Sequence, residues 1–190
     1  MRAFFIILNK NRYTMKIGFT GTMSCGKTTL VKALQQLPEF KGYEFSTERS
    51  KYLRDLGIPL NTDSTLKGQT IFLAERCSEL IKPNIITDRT VIDVMAFTTL
   101  AKSINYIEKE RFIEYVNHFI SEYDYIFYIS PEGIPIEDNN VRTIDPVYRQ
   151  EVDDMINIYI NKFRYKIKQF STLSGSIENR INIVKQTISL

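Results

Sequence analysis

The sequence predicts an α/β fold of three layers built on a five-stranded parallel sheet. Short apolar strands alternate with helical stretches along the chain. A glycine-rich turn joins the first such strand to the first helix, and charged residues recur where strands end. An open parallel sheet places its ligands beyond the carboxyl ends of its strands. The length of 190 residues suits one domain, and such a chain buries enough apolar surface to need no staples.

Taken in order, Met15 to Thr20 reads as the first strand and Lys27 to Leu37 as the first helix. Gly42 to Ser46 is a short aromatic second strand, and a helix over Glu48 to Leu56 stops at Gly57 and Pro59. Thr62-Asp63-Ser64 marks a helix start, with helical periodicity to Ile81 and a break at Pro83. Asn84 to Thr87 is the third strand, ending at Asp88; helices then cover Val91 to Lys102 and Ile104 to Glu122. Tyr125 to Ile129 is apolar enough for a strand buried on both faces. Pro131 to Asp145 is a long polar loop, the core of a mobile lid over about 131–149. Pro146 suits the first turn of a helix running to about Lys166. A fifth strand near Phe170 to Leu173 and a closing amphipathic helix, Ser176 to Ile188, complete the domain of residues 15–190. Residues 1–14 read as an N-terminal extension before Met15, or as an extra strand or an arm on a neighbour.

The glycine-rich turn is Gly21-Thr22-Met23-Ser24-Cys25-Gly26-Lys27-Thr28, which fits G-x-x-x-x-G-K-[ST] at every fixed position. Glycines let the backbone turn tightly and bring its N–H groups onto phosphates, and the helix N-terminus adds positive potential. Lys27 supplies a flexible charge for the β- and γ-phosphates, and Thr28 supplies a hydroxyl for Mg²⁺. Thr29 follows in the same nucleotide-binding turn. The implied fold is that of the P-loop NTPases, with ATP and Mg²⁺ as cofactors. Cys25 is either a reactive thiol near a helix N-terminus or a small space-filler.

The strand-end charges belong to the same crevice. Asp88 sits where a carboxylate holds the metal or its water, and Arg89 beside it can bridge phosphate oxygens in a bidentate manner. Glu48, after the second strand, suits a general base on an acceptor hydroxyl, or a helix N-terminal acid. Phe72 and Tyr52 offer rings to stack a nucleobase, with core packing as the alternative. His118, the only histidine, reads as structural. The basic stretch Lys162 to Lys168 reads as a solvated helix end or a nucleic-acid-facing edge.

Together these residues resemble the P-loop kinases of nucleosides and nucleotides. Asp88-Arg89 followed by Asp93 looks like the "DR" segment of thymidylate kinases and the "ER" segment of deoxynucleoside kinases. Gln69 and Arg76, seven residues apart on one helix face, resemble the glutamine and arginine of deoxynucleoside kinases, where that glutamine reads the base. Glu48-Arg49-Ser50-Lys51, followed by Leu56-Gly57, is similar to a segment of the nicotinamide-riboside-kinase-like AAA-type ATPases, with Lys51 where that group has arginine. Asp138 to Arg149 resembles their lid segment, and Gly175 to Arg180 their ending. The resemblance implies that Arg142 and Arg149 are lid arginines, Arg142 neutralising transition-state charge and Arg149 contacting substrate. It places Arg180 at the adenine end and Glu48, Gln69, Arg76 and Arg89 around the acceptor.

The net charge of +3 fits a protein that handles anions but does not by itself argue for nucleic-acid binding. Cys25 and Cys77 lie far apart with no zinc or disulfide spacing, which points to a reducing, cytoplasmic setting. No apolar run approaches the ~20 residues of a membrane helix. The expected function is an ATP-dependent phosphotransferase acting on a nucleoside, a nucleoside monophosphate or a nucleotide within a polynucleotide. The rival readings are a P-loop NTPase or switch acting on a protein or nucleic-acid partner, and a binding module without turnover. A homodimer stays open.

Overall fold

The computed structural model describes residues 14–47, 49–136 and 145–190. The N-terminal extension, Glu48 and the lid residues 137–144, with Arg142 among them, lie outside the described residues. Among the described residues, five strands form one parallel sheet in the order β2-β3-β1-β4-β5. They are β1 (Met15–Thr20), β2 (Glu44–Ser46), β3 (Asn84–Asp88), β4 (Tyr125–Ile129) and β5 (Gln169–Leu173). Strands β1, β3 and β4 are apolar and largely buried, as strands covered by helices on both faces must be.

Helices fill both faces, so the expected three-layer parallel architecture is borne out. One face packs Leu30, Val31 and Leu34 of α1 (Lys27–Gln35) and Val184 and Ile188 of the α7 region (α7, Ile177–Thr187) against Ile17, Phe19 and Phe127. Phe19 and Phe127 stack across β1 and β4 with ring centroids 5.4 Å apart. The other face carries α3 (Leu66–Glu79), α4 (Val91–Leu100), α5 (Tyr106–Val116) and α6 (Pro146–Lys162), joined through Val91, Met95, Val116, Ile126, Val152 and Ile156. A short α2 (Ser50–Asp55) follows β2. Gly18 in β1 is required by this second layer: a Cβ there would stand 2.5 Å from Thr90 Cγ2 and 2.8 Å from the Tyr123 ring.

The limits of three helices differ most from the sequence reading. The helix expected from Thr62 begins instead at Leu66, after a 3₁₀ turn over Asn61–Asp63. Ser64 Oγ donates to Asn61 O, and Thr65, extended, accepts from Gly68 N at 3.1 Å as the true cap. The helix expected over Ile104 to Glu122 starts at Tyr106, where Asn105 and Glu108 form a capping box, and relaxes to a 3₁₀ turn at Asn117–Glu122. There the Asn117 amide donates to the carbonyls of Ile113 and Glu114, competing with the helical ladder. Near Lys162 the last expected turn is 3₁₀ over Arg164–Lys166.

The chain runs from β1 to one side of the sheet and later returns to β4 on the other. The resulting crevice lies over the carboxyl ends of β1 and β3, where an open α/β sheet binds ligands. No helix among the described residues is long and apolar enough to cross a membrane.

Candidate functional site

The turn after β1 has the backbone of an anion cradle. Gly21, Ser24 and Gly26 have φ of 151°, 54° and 86°, so the loop folds through left-handed conformations that point successive N–H groups inward. A Cβ at Gly21 would meet Ile129 O at 2.7 Å, which reserves that position for glycine. Gly26 caps α1 without a side chain, leaving the first-turn amides for an anion. Lys27, only 4% exposed, lies over the loop and donates to Gly21 O at 2.7 Å and Thr22 O at 2.6 Å. Cys25 is buried, with its sulfur 3.4 Å from Lys27 Nζ, and fills the space inside the turn. Thr29 is exposed in the first turn of α1.

Two arginines hold the loop from outside. Arg149 on α6 donates to Met23 O at 3.2 Å, Ser24 O at 3.3 Å, Ile134 O at 2.9 Å and Pro131 O at 3.4 Å, while Thr22 Oγ1 donates to Arg149 O at 2.8 Å. Arg180 on α7 is buried and donates to Cys25 O at 2.8 Å. These bonds cancel loop carbonyl dipoles that would otherwise face the same space as the amides.

Asp88 ends β3 with no solvent exposure, and its Oδ2 accepts from Thr28 Oγ1. Its Oδ1 is buried and has no hydrogen-bond partner among the described residues. A hydroxyl and a carboxylate side by side, one oxygen unspent, match the donor chemistry of Mg²⁺, which takes one or two protein oxygens and completes its shell with phosphates and water. Among the described residues no group of three His, Cys, Asp or Glu side chains could hold a metal by themselves.

Beside the loop opens a cleft, partly open to solvent. Met23 of the loop forms one wall; Gln69, Phe72, Arg76, Arg89, Asp93 and Phe97 form much of the rest. Gln69 is 3% exposed and lines the cleft. Arg89 has φ 119°, a strained strand-end conformation of a kind concentrated at functional sites. Its guanidinium lies 3.2 Å from Asp93 Oδ1 and 5.0 Å from the centre of the Phe97 ring. Asp93 in turn receives Thr90 N at 2.8 Å in a capping box at the start of α4. Arg76 is buried, paired with Glu79 Oε1 at 2.8 Å, and reaches Asp88 O at 3.4 Å. Burial raises the Glu79 carboxyl above the usual range, opposed by Arg76 and by the Ser46 hydroxyl.

Residues 16–180 match a protein family described as AAA domain. The chain belongs to this family. No curated protein matches the sequence. Among solved structures, this AAA domain is similar to the deoxyadenosine kinase from M. mycoides bound to dCMP and a flexible dCDP, at 19% identity and TM-score 0.66, covering 92% of this chain and 98% of that one. It is similar to the NadR protein in complex with NR, at 15% identity and TM-score 0.68, over 94% of this chain but 52% of that one, so the AAA domain spans about half of it. The shikimate kinase from Acinetobacter baumannii, with shikimate bound, matches at 16% identity and TM-score 0.53, covering 93% and 95% of the two chains. At such identities the likeness is one of fold, and the fold of this AAA domain is that of the P-loop kinases, as expected.

The structure thus brings Gly21 to Thr28, Asp88, Arg89, Gln69 and Arg76 to one crevice. It places Arg149 and Arg180 against the loop's backbone rather than in the cleft, and exposes His118 and Tyr52, the latter under the Arg49 guanidinium at 4.5 Å. Sequence reasoning missed Phe97, Leu60 and Asn61 as cleft walls. Phe97 lies one helical turn after Asp93, the one available signal, but α4 is apolar almost all round and marks no special face. It also missed a second buried network beside the loop: Tyr128 donates to Asp153 at 2.9 and 2.8 Å, and Asn157 Nδ2 to the Tyr128 hydroxyl at 3.1 Å. Burial raises both the Asp153 carboxyl and the Tyr128 phenol.

Proposed function

We propose that this chain is an ATP·Mg²⁺-dependent phosphotransferase whose acceptor is a nucleoside, a nucleoside monophosphate or a nucleotide within a polynucleotide. The observation that carries the reading is the contact between cradle and cleft: Met23 belongs to the phosphate loop and also walls the cleft that holds Gln69, Phe72 and Phe97. A nucleotide switch needs the cradle alone. A kinase needs a second, shaped site next to it.

In this reading the loop amides and Lys27 bind the ATP polyphosphate, with Lys27 exchanging carbonyl partners for phosphate oxygens. Thr28 and Asp88 would hold Mg²⁺, which supplies charge neutralisation on the phosphates. Gln69 reads the acceptor's polar edge, Phe72 and Phe97 flank its planar part, and Arg89 faces the group being phosphorylated. Arg149 and Arg180 keep the cradle's shape. Glu48 is proposed as the base that takes the acceptor hydroxyl's proton, and Arg142, in a lid over about 131–149, as the charge that folds over the transferring group. Rate enhancement comes from positioning and electrostatics, since phosphoryl transfer asks little covalent chemistry of the protein.

The test is a screen with γ-labelled ATP against nucleosides, their monophosphates, nicotinamide riboside and short DNA, plain and with hydroxymethylated bases. A labelled acceptor is expected. ATP hydrolysis that speeds up only with a macromolecule, and labels none of these acceptors, would replace this reading by the switch.

A further inference from the structure

We infer that Glu79 is a positioning residue that fixes the distance between the acceptor side and the metal side of the site. This rests on the phosphotransfer reading above. Glu79 ends α3 and does not itself line the cleft, which it reaches through Arg76. It is 8% exposed, and its Oε1 accepts from two groups at once: Ser46 Oγ, at the last residue of β2, and Arg76 at 2.8 Å. Arg76 turns one face to the cleft and reaches the Asp88 carbonyl at 3.4 Å. One carboxylate oxygen therefore ties the end of β2, the wall of the cleft and the end of β3 together.

The tie has a local reason to exist. Among the described residues β2 is an edge strand of three residues that pairs with β3 alone. So short a ladder holds its end weakly, and Arg49 and Ser50, a few residues on, line the cleft. The Glu79 clip pins it from below. The same carboxylate balances a guanidinium that is 3% exposed and whose other acidic neighbour, Glu75, stands at 3.8 Å. Without Glu79, Arg76 would turn toward Glu75 and leave both Asp88 and the cleft wall. The charged groups facing Glu79 are Arg76 and Glu75 on its own helix and Lys82 beyond it; Ser46 faces it from β2. Arg49 is tied to Glu75 at 3.3 Å, and the buried Tyr123 hydroxyl feels the same cluster.

The experiment is steady-state label transfer by the full chain, with acceptor and ATP varied separately, for the wild type, Glu79→Gln and Ser46→Ala, together with the pH profile. Both variants are expected to raise acceptor KM, or lower kcat, by about tenfold or more while ATP KM stays within twofold. The wild type should lose activity on the acid side as Glu79 takes up a proton, and Glu79→Gln should lack that limb. If Glu79→Gln fails to fold, Ser46→Ala, which keeps the buried ion pair, decides the matter through the same KM split. Equal loss for ATP and acceptor, or an acid limb unchanged in Glu79→Gln, would overturn the inference while leaving the kinase reading intact. A wild type that labels no acceptor overturns both.

Discussion

The two halves of the proposed site are built from different material. The phosphate cradle is backbone over one continuous stretch, residues 21–28, shaped by left-handed turns and braced by Arg149 and Arg180. The neighbouring cleft is side chain throughout, drawn from separate stretches around residues 49, 60–61, 69–76 and 89–97. Backbone amides recognise any polyphosphate, so the cradle reads charge and geometry. The cleft reads shape and hydrogen-bond pattern, and there a missing partner is costly because buried polar groups are left unpaired. Common chemistry is thus encoded locally, and substrate choice is encoded by packing.

That contrast can be broken most sharply at its common point. Lys27→Ala and Asp88→Asn are each expected to lower label transfer by about 10³-fold or more, with thermal melting near that of the wild type. Normal transfer by either variant would remove the role assignment. Gln69→Ala should act on one half only, raising acceptor KM by about tenfold, the value of one buried hydrogen bond of about 1.4 kcal/mol, at constant ATP KM. An equal rise for ATP would merge the two halves into one. Arg180→Ala should do the reverse, raising ATP KM several-fold by freeing the Cys25 carbonyl, with acceptor KM unchanged.

Gly18 lies beneath both halves. Gly18→Ala should cost about 1–3 kcal/mol by overpacking against Thr90 and Tyr123. At roughly 2–4 °C per kcal/mol for a chain of this size, the loss is readable in a melting curve. The smallest effect belongs to Asp153. Burial raises its carboxyl above the ordinary value of 3.8, so the folded chain holds that proton where the unfolded chain has released it. Stability should therefore fall as pH rises through this window, and Asp153→Asn should flatten the decline. A steeper decline in the variant would contradict that sign.

Much of the sheet could be read from the chain alone. Tyr125–Ile129 was legible as a strand because its five residues in a row are apolar, and Met15–Thr20 because it runs straight into the glycine-rich turn. Helix ends were less legible. At Thr65, Asn105 and Asn117 the outcome turns on which backbone group a short polar side chain reaches, a choice made among near-equal local alternatives. In the proposed site, Gln69 stands on a helix face and Asp88 and Arg89 at a strand end, local features the sequence shows, whereas Phe97 carried only its spacing from Asp93 and Glu79 no mark.

By itself the sequence determined the cradle, because its requirements are local: glycines where φ is positive, and a lysine and a threonine one and two places on. The tertiary structure alone decided that Arg149 and Arg180 brace that cradle, and that Glu79 joins Ser46 to Arg76. Those contacts span 33 to 155 residues along the chain, where Glu79 meets Ser46 and Arg180 meets Cys25, apart from the single turn that links Glu79 to Arg76. Separations so long leave no periodicity to read; packing of the helices on the sheet is what brings such partners within reach.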